Sequence, residues 1–490
     1  MKKIIVCLAV ALIFVSTWGC GLNLEKEAEN LNTYTASLEF DEENHKLSGD
    51  MKVNFCNKSN STLNELKFNI YPNAFRENSA QPVISLAKSK ECYYNGESYG
   101  KIEISKVQGA NTSSFEICGS DENILKVNLQ SPLQPTQSTS IEMQFVITLP
   151  NISHRFGYGE NTINFGNFLP TLCVFENGKW QEIEYHSNGD PFYSEVANYH
   201  ITFSYPENMI LASTGICLDT QIFEGKATKT ISAPAVRDFA MVLSDKFSVV
   251  SKEVDGIEVK YFYHSDLNFT TSLETAVKAV ATFNNLFGKY PYEELSVVEA
   301  NFCIGGMEFP NLVLIGDTID NYDSYQMVIV HEIAHQWWYS VVGNNQTSYA
   351  WLDEGLTEFS TALFYEKNAG YNLTYEQIIS NANTNMQVFS KVFSDVVGKV
   401  DTSMNRNLSD FETENEYIYS TYVEGMLLFD GLKNLLSEKV LIKCLKNYLT
   451  TFAFKTVTPA DMIASFEKTS SLNLEPFFNS WIQGKVVFTS

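Results

Sequence analysis

The clearest architectural signal in this chain is the hexapeptide Val330-His331-Glu332-Ile333-Ala334-His335. It lies in a segment, 325–341, whose apolar residues recur at helical spacing, and this spacing predicts a helix. Four residues advance an α-helix by about 400°, so the two imidazoles project about 40° apart and one turn apart. Glu332 lies about 100° from His331 on the same helix. Two nitrogen ligands beside a carboxylate predict a metal-activated water, with Glu332 as the group that accepts its proton.

A catalytic zinc ion usually takes three protein ligands and leaves the fourth position open. Glu354 follows His335 by 19 residues, which is enough chain for the first helix to end and for a second to return antiparallel. Its neighbours Asp353 and Glu358 are expected to cap the second helix or to orient the histidines. The sequence therefore predicts one Zn²⁺ ion held by His331, His335 and Glu354.

The first half of the chain has the pattern of an antiparallel β domain. Short alternating or β-branched runs are separated by turn residues, including those at 176–179 and 187–190. The strands are expected at 34–40, 52–55, 67–70, 124–129, 140–149, 197–205 and 257–263. We assign this β domain to residues 34–255.

The second half changes to helical periodicity. Helices are expected at 273–287, 325–341, 355–368, 374–396, 418–437, 438–450 and 459–468, and strands at 295–302 and 312–315. This pattern predicts a mainly α catalytic domain with a small mixed sheet, which we assign to residues 256–490.

The N-terminus has the anatomy of an export signal. Lys2 and Lys3 precede an apolar run, 4–15, which is too short to cross a bilayer permanently. The following Gly19-Cys20 resembles the bacterial lipobox, in which the cysteine receives a lipid. We expect a lipoprotein-type signal peptide over residues 1–19 and a spacer over 20–33. The mature protein would lie at the extracellular face of the bacterial membrane through a lipid on Cys20, with simple secretion as the alternative.

The composition excludes several classes of protein. Hydrophobic residues make up 44% of the 490 residues, which is typical of folded domains. The 58 acidic and 34 basic side chains give a net charge of −24, which opposes nucleic-acid binding. Seven of the nine cysteines follow Cys20 and form no Cys-x-x-Cys pair, so we expect buried thiols and at most one disulfide.

At this point the chain resembles the gluzincin metallopeptidases, specifically the aminopeptidase N-type family. The His331–His335 motif, with Glu332 inside it and Glu354 after it, matches the family's zinc ligands and general base position by position. The resemblance implies a saddle- or sandwich-like N-terminal β domain followed by a thermolysin-like catalytic domain. The run 189–194 is similar to that of a distant bacterial branch of the family. We also expect this protein to lack the family's C-terminal helical domain.

Two further segments carry the resemblance. Gly305-Gly306-Met307-Glu308-Phe309 is similar to the family's Gly-x-Met-Glu-Asn strand, in which the glutamate binds the free α-amine of the substrate. By that likeness Gly305, Gly306, Met307 and Glu308 are substrate-binding residues, and Phe309 in place of asparagine implies a differently built pocket wall. The second amine anchor of the central branch has no counterpart that the sequence identifies.

Tyr422-Val423-Glu424-Gly425 resembles the family's Tyr-x-x-Gly segment, in which the tyrosine stabilises the oxyanion. Tyr417 and Tyr419 are neighbours that could occupy the same place, and the glycine three residues on favours Tyr422. The resemblance thus implies a zinc-dependent aminopeptidase acting on peptides with a free N-terminus. A zinc endopeptidase without amine anchoring and a non-catalytic extracellular peptide-binding lipoprotein are the alternatives.

Overall fold

The structure, a computed structural model, describes residues 22–396, 398, 401–486 and 488. The predicted signal peptide and Cys20 lie outside the described residues. Part of the expected spacer forms a short helix, α1 (Leu24–Ala28). This helix packs against a strand of the first sheet, β16 (Lys226–Val236). The side-chain amide of Asn198 donates to the Ala28 carbonyl at 2.9 Å and ties this helix down.

The first half forms strands, as the alternation predicts. These are β1 (Thr33–Asp41), β2 (Lys46–Cys56), β3 (Leu63–Asn69), β4 (Lys101–Gln108), β5 (Thr112–Cys118), β6 (Ile124–Leu133), β7 (Ser138–Thr148), β8 (Phe156–Tyr158), β9 (Ile163–Phe165), β10 (Thr171–Leu172), β11 (Phe175–Glu176), β12 (Lys179–Trp180), β13 (Ala197–Pro206), β14 (Ile210–Ser213), β15 (Ile216–Phe223), β16 and β17 (Met241–Ser244).

Most of these strands form three sheets. The largest has seven strands in the order β15-β16-β13-β1-β2-β7-β4, and two smaller sheets have the orders β10-β3-β6-β5 and β14-β17-β9-β8. All pairings are antiparallel except β1 with β13, where Tyr34 lies opposite Tyr199 in a parallel register. Strict alternation along β1 buries Tyr34, Ala36, Leu38 and Phe40 on one face. The expectation of a mainly antiparallel β half is confirmed.

A five-stranded mixed sheet carries the second half. Its order is β18-β19-β20-β22-β21, formed by β18 (Ser248–Val254), β19 (Ile257–Tyr263), β20 (Glu294–Ala300), β21 (Gly306–Met307) and β22 (Leu312–Gly316). The short strand β21 is antiparallel to β22 at the edge of the sheet. The boundary predicted at 255/256 falls inside the β18–β19 hairpin, and the domain limits remain a prediction.

The remaining elements are helices and one small parallel strand pair. They are α2 (Leu86–Cys92), α3 (Phe269–Leu286), α4 (Tyr322–Ala334), α5 (Gln346–Tyr349), α6 (Glu354–Lys367), α7 (Tyr375–Val396), α8 (Glu414–Ile418), α9 (Glu424–Leu436), α10 (Glu438–Phe452), α11 (Pro459–Ser470) and α12 (Glu475–Ile482), with β23 (Val342–Asn344) pairing with β24 (Lys455–Val457). In the described part of the chain no helix is long and apolar enough to cross a membrane.

One helix prediction is wrong in detail, because the helix expected over 325–341 ends at His335. The segment expected as a helix over 418–437 is helical, with a π-helical turn at Tyr419–Val423 before α9. The α-helix ends at His335 because of long-range contacts: the two tryptophans that follow it bond to different parts of the fold. Trp337 donates to the Gly288 carbonyl at 2.8 Å, and Trp338 donates to the Ser360 hydroxyl at 2.9 Å.

The two predicted turns have different outcomes. Residues 176–179 connect β11 and β12 in a hairpin, with positive φ at Asn177 and Gly178. The prediction for 187–190 is wrong, since no strands flank this segment and it forms a loop at the functional site. The expectation of at most one disulfide is met among the described residues by Cys92–Cys303, which joins α2 to the segment before β21.

Candidate metal centre and substrate cleft

Three predicted ligands converge at the C-terminal end of α4. Nε2 of His331 and Nε2 of His335 lie 3.1 Å apart. Oε2 of Glu354, at the start of α6, lies 3.2 Å from Nε2 of His335 and 3.4 Å from Nε2 of His331. The second helix, α6, therefore brings Glu354 to the two imidazoles, as predicted.

Each imidazole is oriented through its other nitrogen. Nδ1 of His331 lies 3.3 Å from Oε1 of Glu358. Nδ1 of His335 lies 3.2 Å from both the Trp338 carbonyl and the Thr357 hydroxyl. Such contacts fix the ring orientation and leave both Nε2 atoms available as ligands.

The donor set fits a zinc ion. A tetrahedral ion with bonds of about 2.0–2.1 Å has ligand atoms separated by about 3.3–3.4 Å, close to the three separations found here. Burial alone would raise the pKa of Glu354, but the adjacent His335 and His331 rings lower it well below its ordinary value. Metal ligation requires this carboxyl group as an anion and both imidazoles in the neutral form.

Glu332 lies beside the metal ligands without being one of them. Burial raises the pKa of its carboxyl to about 8, against an opposing effect of His331. Its Oε2 atom is buried and receives no hydrogen bond from the described protein. Gly306 makes room for this side chain, since a Cβ there would lie 2.1 Å from Oε1 of Glu332. The arrangement presents a basic carboxylate to the site.

Tyr422 is the tyrosine that reaches the centre. Its hydroxyl donates to Oε1 of Glu354 at 2.6 Å, and its ring lies nearly parallel to that of His331 with centroids 6.1 Å apart. Tyr417 packs edge-on against Tyr422, while Tyr419 stacks on Phe389. Of the three candidates, only Tyr422 bonds a metal-ligand residue.

The strand β21 places Glu308 on the same cleft. Gly305 has a positive φ of 98°, which favours glycine, and Met307 is buried against the sheet. Burial, with repulsion from Asp190, raises the pKa of Glu308 to about 7. The ring of Phe309 does not line the cleft and packs in the interior against the backbone of Gly166.

A second carboxylate, which sequence reasoning missed, faces Glu308. Asp190 is buried in the 187–190 loop and forms an ion pair with the buried Arg155. Carboxylate oxygens of Asp190, Glu308 and Glu354 all lie within 4.8 Å of one another. The sequence offers little to single out this residue among 58 acidic ones, apart from the run 189–194.

The cleft continues into a larger cavity. A space of about 280 Å³ is bordered by the metal ligands, Glu332, Glu308 and Tyr422. It adjoins a cavity of about 500 Å³ that shares Asp190, Gly306 and Tyr422 with it. The rest of its lining is mixed: Ile84, Leu373, Ile378, Ile418 and Met426 are apolar, and Ser85, Asn381, Asn385 and Glu414 are polar.

In this fold two helices bring His331, His335 and Glu354 around one metal position, as the resemblance to the gluzincin metallopeptidases implies. Residues 271–481 match the peptidase family M1 domain. This match covers less than half of the chain and confirms the resemblance to the aminopeptidase N-type family.

Several of the curated relatives are aminopeptidases. Endoplasmic reticulum aminopeptidase 2 of Bos taurus is 24% identical over 46% of this chain and 24% of its own length. Puromycin-sensitive aminopeptidase of Caenorhabditis elegans is 21% identical over 76% of this chain and 41% of its own length. The matched part of this chain thus spans less than half of each relative.

Solved structures agree with the fold along almost the whole chain. The M1 zinc metallopeptidase of Deinococcus radiodurans has a TM-score of 0.66 at 15% identity, and the match covers 93% of this chain and 94% of that one. A mutant of that enzyme bound to a Tyr-Ser-Ala substrate matches with a TM-score of 0.66 at 14% identity, and the match covers 93% of this chain and 94% of that one. These likenesses establish a common two-part architecture.

Proposed function

We propose that this protein is a zinc-dependent aminopeptidase that hydrolyses the first peptide bond of peptides with a free N-terminus. The observation that carries the proposal is the pair of buried carboxylates, Glu308 and Asp190, beside the His331–His335–Glu354 centre. Such a pair attracts a cation into the cleft. The M1 domain, the aminopeptidase relatives and the tripeptide named for the Deinococcus neighbour agree with a peptide substrate.

The residues around the metal position have separable tasks. A zinc ion held by His331, His335 and Glu354 would supply Lewis acidity that lowers the pKa of water at the site. Glu332 accepts the proton of the attacking water and can return it to the leaving amine, because its carboxyl group lies in the same cleft as the metal ligands. Tyr422 donates its hydroxyl hydrogen to the oxyanion of the tetrahedral intermediate.

The amine anchor sets where the chain is cut. Glu308 and Asp190 together bind the ammonium group of the first residue by charge-assisted hydrogen bonds. Arg155 offsets part of the charge of Asp190, so the two anchoring carboxylates can lie close together before substrate binds. An internal peptide segment would place a neutral amide against these carboxylates, which disfavours endopeptidase action.

The cleft also has room for the side chain of the first residue of a peptide substrate. The Cα of a bound first residue lies between its ammonium, held at Glu308 and Asp190, and its carbonyl, held near Tyr422. The cavity of about 500 Å³ borders Asp190 and Tyr422, so it is placed to receive that side chain. The apolar part of its lining, Ile84, Leu373, Ile378, Ile418 and Met426, favours a large apolar residue.

The test compares free and blocked substrates. Glu308→Ala is expected to raise the KM of a leucyl anilide reporter by about tenfold or more, because a charge-assisted hydrogen bond is lost. N-acetyl-leucyl anilide should be a poor substrate of both proteins. Efficient cleavage of the acetylated reporter by the parent would favour a zinc endopeptidase, and no cleavage of either would favour a peptide-binding protein.

We also propose that the protein is exported and anchored by a lipid on Cys20, or else secreted. Support comes from the apolar run before Gly19-Cys20 and from the disulfide Cys92–Cys303, since disulfides persist in oxidising compartments. Labelling with a fatty acid in a bacterial host should mark the full chain and not its Cys20→Ser variant. An unlabelled full chain recovered outside the cell would support simple secretion.

A further inference from the structure

Gln346 connects the carboxylate of Glu308 to the start of the helix that carries Glu354. Its Nε2 donates to Oε1 of Glu308 at 3.1 Å and to Oδ2 of Asp353 at 2.8 Å. The amide of Asn344 donates to the other Asp353 oxygen, Oδ1, at 2.9 Å. All four of these hydrogen-bonding side chains are buried, so the bonds form where water competes little.

The orientation of the Gln346 amide is set by its partners. Both hydrogens of the NH₂ group are used, one on each acidic side chain. Rotating the amide would turn its carbonyl oxygen toward two acceptors and lose both bonds. Glu308 and Asp353 have oxygens within 4.8 Å of Nδ1 or Nε2 of His335 and of each other, so Gln346 bridges two acids that would otherwise repel.

The main chain around Glu308 is held independently. Gln336, next to His335, donates from Nε2 to the Phe309 carbonyl at 3.1 Å and accepts from the Asn311 amide at 2.9 Å. Loss of the Gln346 amide should therefore leave the strand in place and release the Glu308 carboxylate, while Asp353 keeps its bond from Asn344.

We propose that Gln346 is a positioning residue for substrate-amine recognition, holding the Glu308 carboxylate in the orientation that receives the ammonium group. A carboxylate has two oxygens and about four acceptor positions, so the bond to Oε1 leaves capacity for the substrate. The inference rests on the proposed aminopeptidase function and extends it to a residue that does not itself touch the reacting atoms. The Gln346 side chain also joins the amine anchor Glu308 to Asp353, which directly precedes the metal ligand Glu354.

The test is a double-variant cycle in the full-length zinc-loaded protein. Gln346→Met keeps the length of the side chain and removes both donors, and Glu308→Ala removes the acceptor. We expect Gln346→Met to raise the KM of leucyl anilide by about tenfold and to change kcat by less than about threefold. In the Glu308→Ala background the same substitution should change KM by less than about twofold. An equal fold-change in both backgrounds would overturn the proposal.

A second readout does not depend on turnover. In the Glu332→Gln background, calorimetry should give weaker binding of the dipeptide Leu-Gly when Gln346 is replaced, and equal binding would overturn the proposal. Gln326→Met is the matched control, because Gln326 is a buried glutamine bonded to Thr275 and should leave KM unchanged. Zinc content should be the same in all variants.

The outcomes separate this proposal from the proposed function. If Glu308→Ala leaves KM for the free amine unchanged, the aminopeptidase assignment fails. If Glu308→Ala raises KM and Gln346→Met does not, only the role of Gln346 fails. Gln346→Ala and Gln346→Leu serve in the same cycle where Gln346→Met does not fold.

Discussion

The hydroxyl of Tyr422 donates a 2.6 Å hydrogen bond to Oε1 of Glu354, whose other oxygen faces the two histidines. One carboxylate thus joins the metal position to the residue proposed to stabilise the oxyanion. The bond also orients the phenol toward the place where a substrate carbonyl would lie. Burial and the charge of Glu354 raise the pKa of Tyr422 well above its ordinary value, so the hydroxyl keeps its proton and can donate it.

Replacement of Tyr422 by phenylalanine should lower kcat by about 10²- to 10³-fold with a small effect on KM, because a donor to the transition state is lost. Steady-state kinetics on leucyl anilide measure this. Tyr419→Phe is the matched control, since Tyr419 stacks on Phe389 and should leave kcat unchanged. Equal activity of Tyr422→Phe and the parent, at equal zinc content, would contradict the role.

Replacement of Glu332 by glutamine should lower kcat by about 10²- to 10⁴-fold, because the amide cannot accept the proton of the attacking water. The change keeps the size of the side chain, so Gly306 still accommodates it. Zinc content and thermal unfolding should match those of the parent. A variant that turns over at the parental rate would show that another group is the base.

Asp190→Asn tests the second amine anchor. Removing its charge should raise KM for leucyl anilide by about tenfold and leave kcat within about threefold. The unfolding temperature should fall as well, because Arg155 loses its buried counter-charge. If KM is unchanged while stability falls, Asp190 only supports Arg155 and takes no part in binding.

Asp238 gives a pH dependence of stability. Its carboxyl accepts from the Asn167 amide at 2.5 Å and from the Phe239 backbone amide at 2.7 Å, yet burial raises its pKa from 3.8 to about 7. The folded state therefore holds this proton more tightly than the unfolded state does. Stability should decrease as pH rises from about 4 to about 7, by up to roughly 4 kcal/mol from this group, and stay lowered above that range.

Asp238→Asn should remove this contribution. Asn167 can rotate to accept from the new amide, because its Oδ1 has no hydrogen-bond partner in the described structure. Denaturant unfolding at pH 5 and pH 8 should give a smaller loss of stability for the variant than for the parent. The same loss in both proteins would mean that Asp238 does not titrate in this range.

The sequence predicts the parts of the site whose geometry is local. Two histidines one helical turn apart, with Glu354 on the next helix, need only helix geometry and a tight return to converge. The alternation along the first half likewise predicts β1 and its antiparallel partners, whose buried faces are visible in the sequence.

The remaining contacts depend on long-range packing. Asp190 reaches Glu308 only because a loop of the β half folds over the helical half, and its partner Arg155 lies 35 residues away. The disulfide Cys92–Cys303 spans 211 residues and has no local spacing to identify it. The end of the zinc helix at His335 follows from where Trp337 and Trp338 bury their rings, which periodicity does not encode.

The central claim is tested most directly by metal analysis of the purified protein combined with X-ray data collected at the zinc absorption edge. The account predicts one zinc ion per chain, with anomalous density between Nε2 of His331, Nε2 of His335 and Glu354, and loss of both metal and activity in His335→Ala. A protein that binds no zinc when the ion is supplied, or binds it away from these three residues, would contradict it.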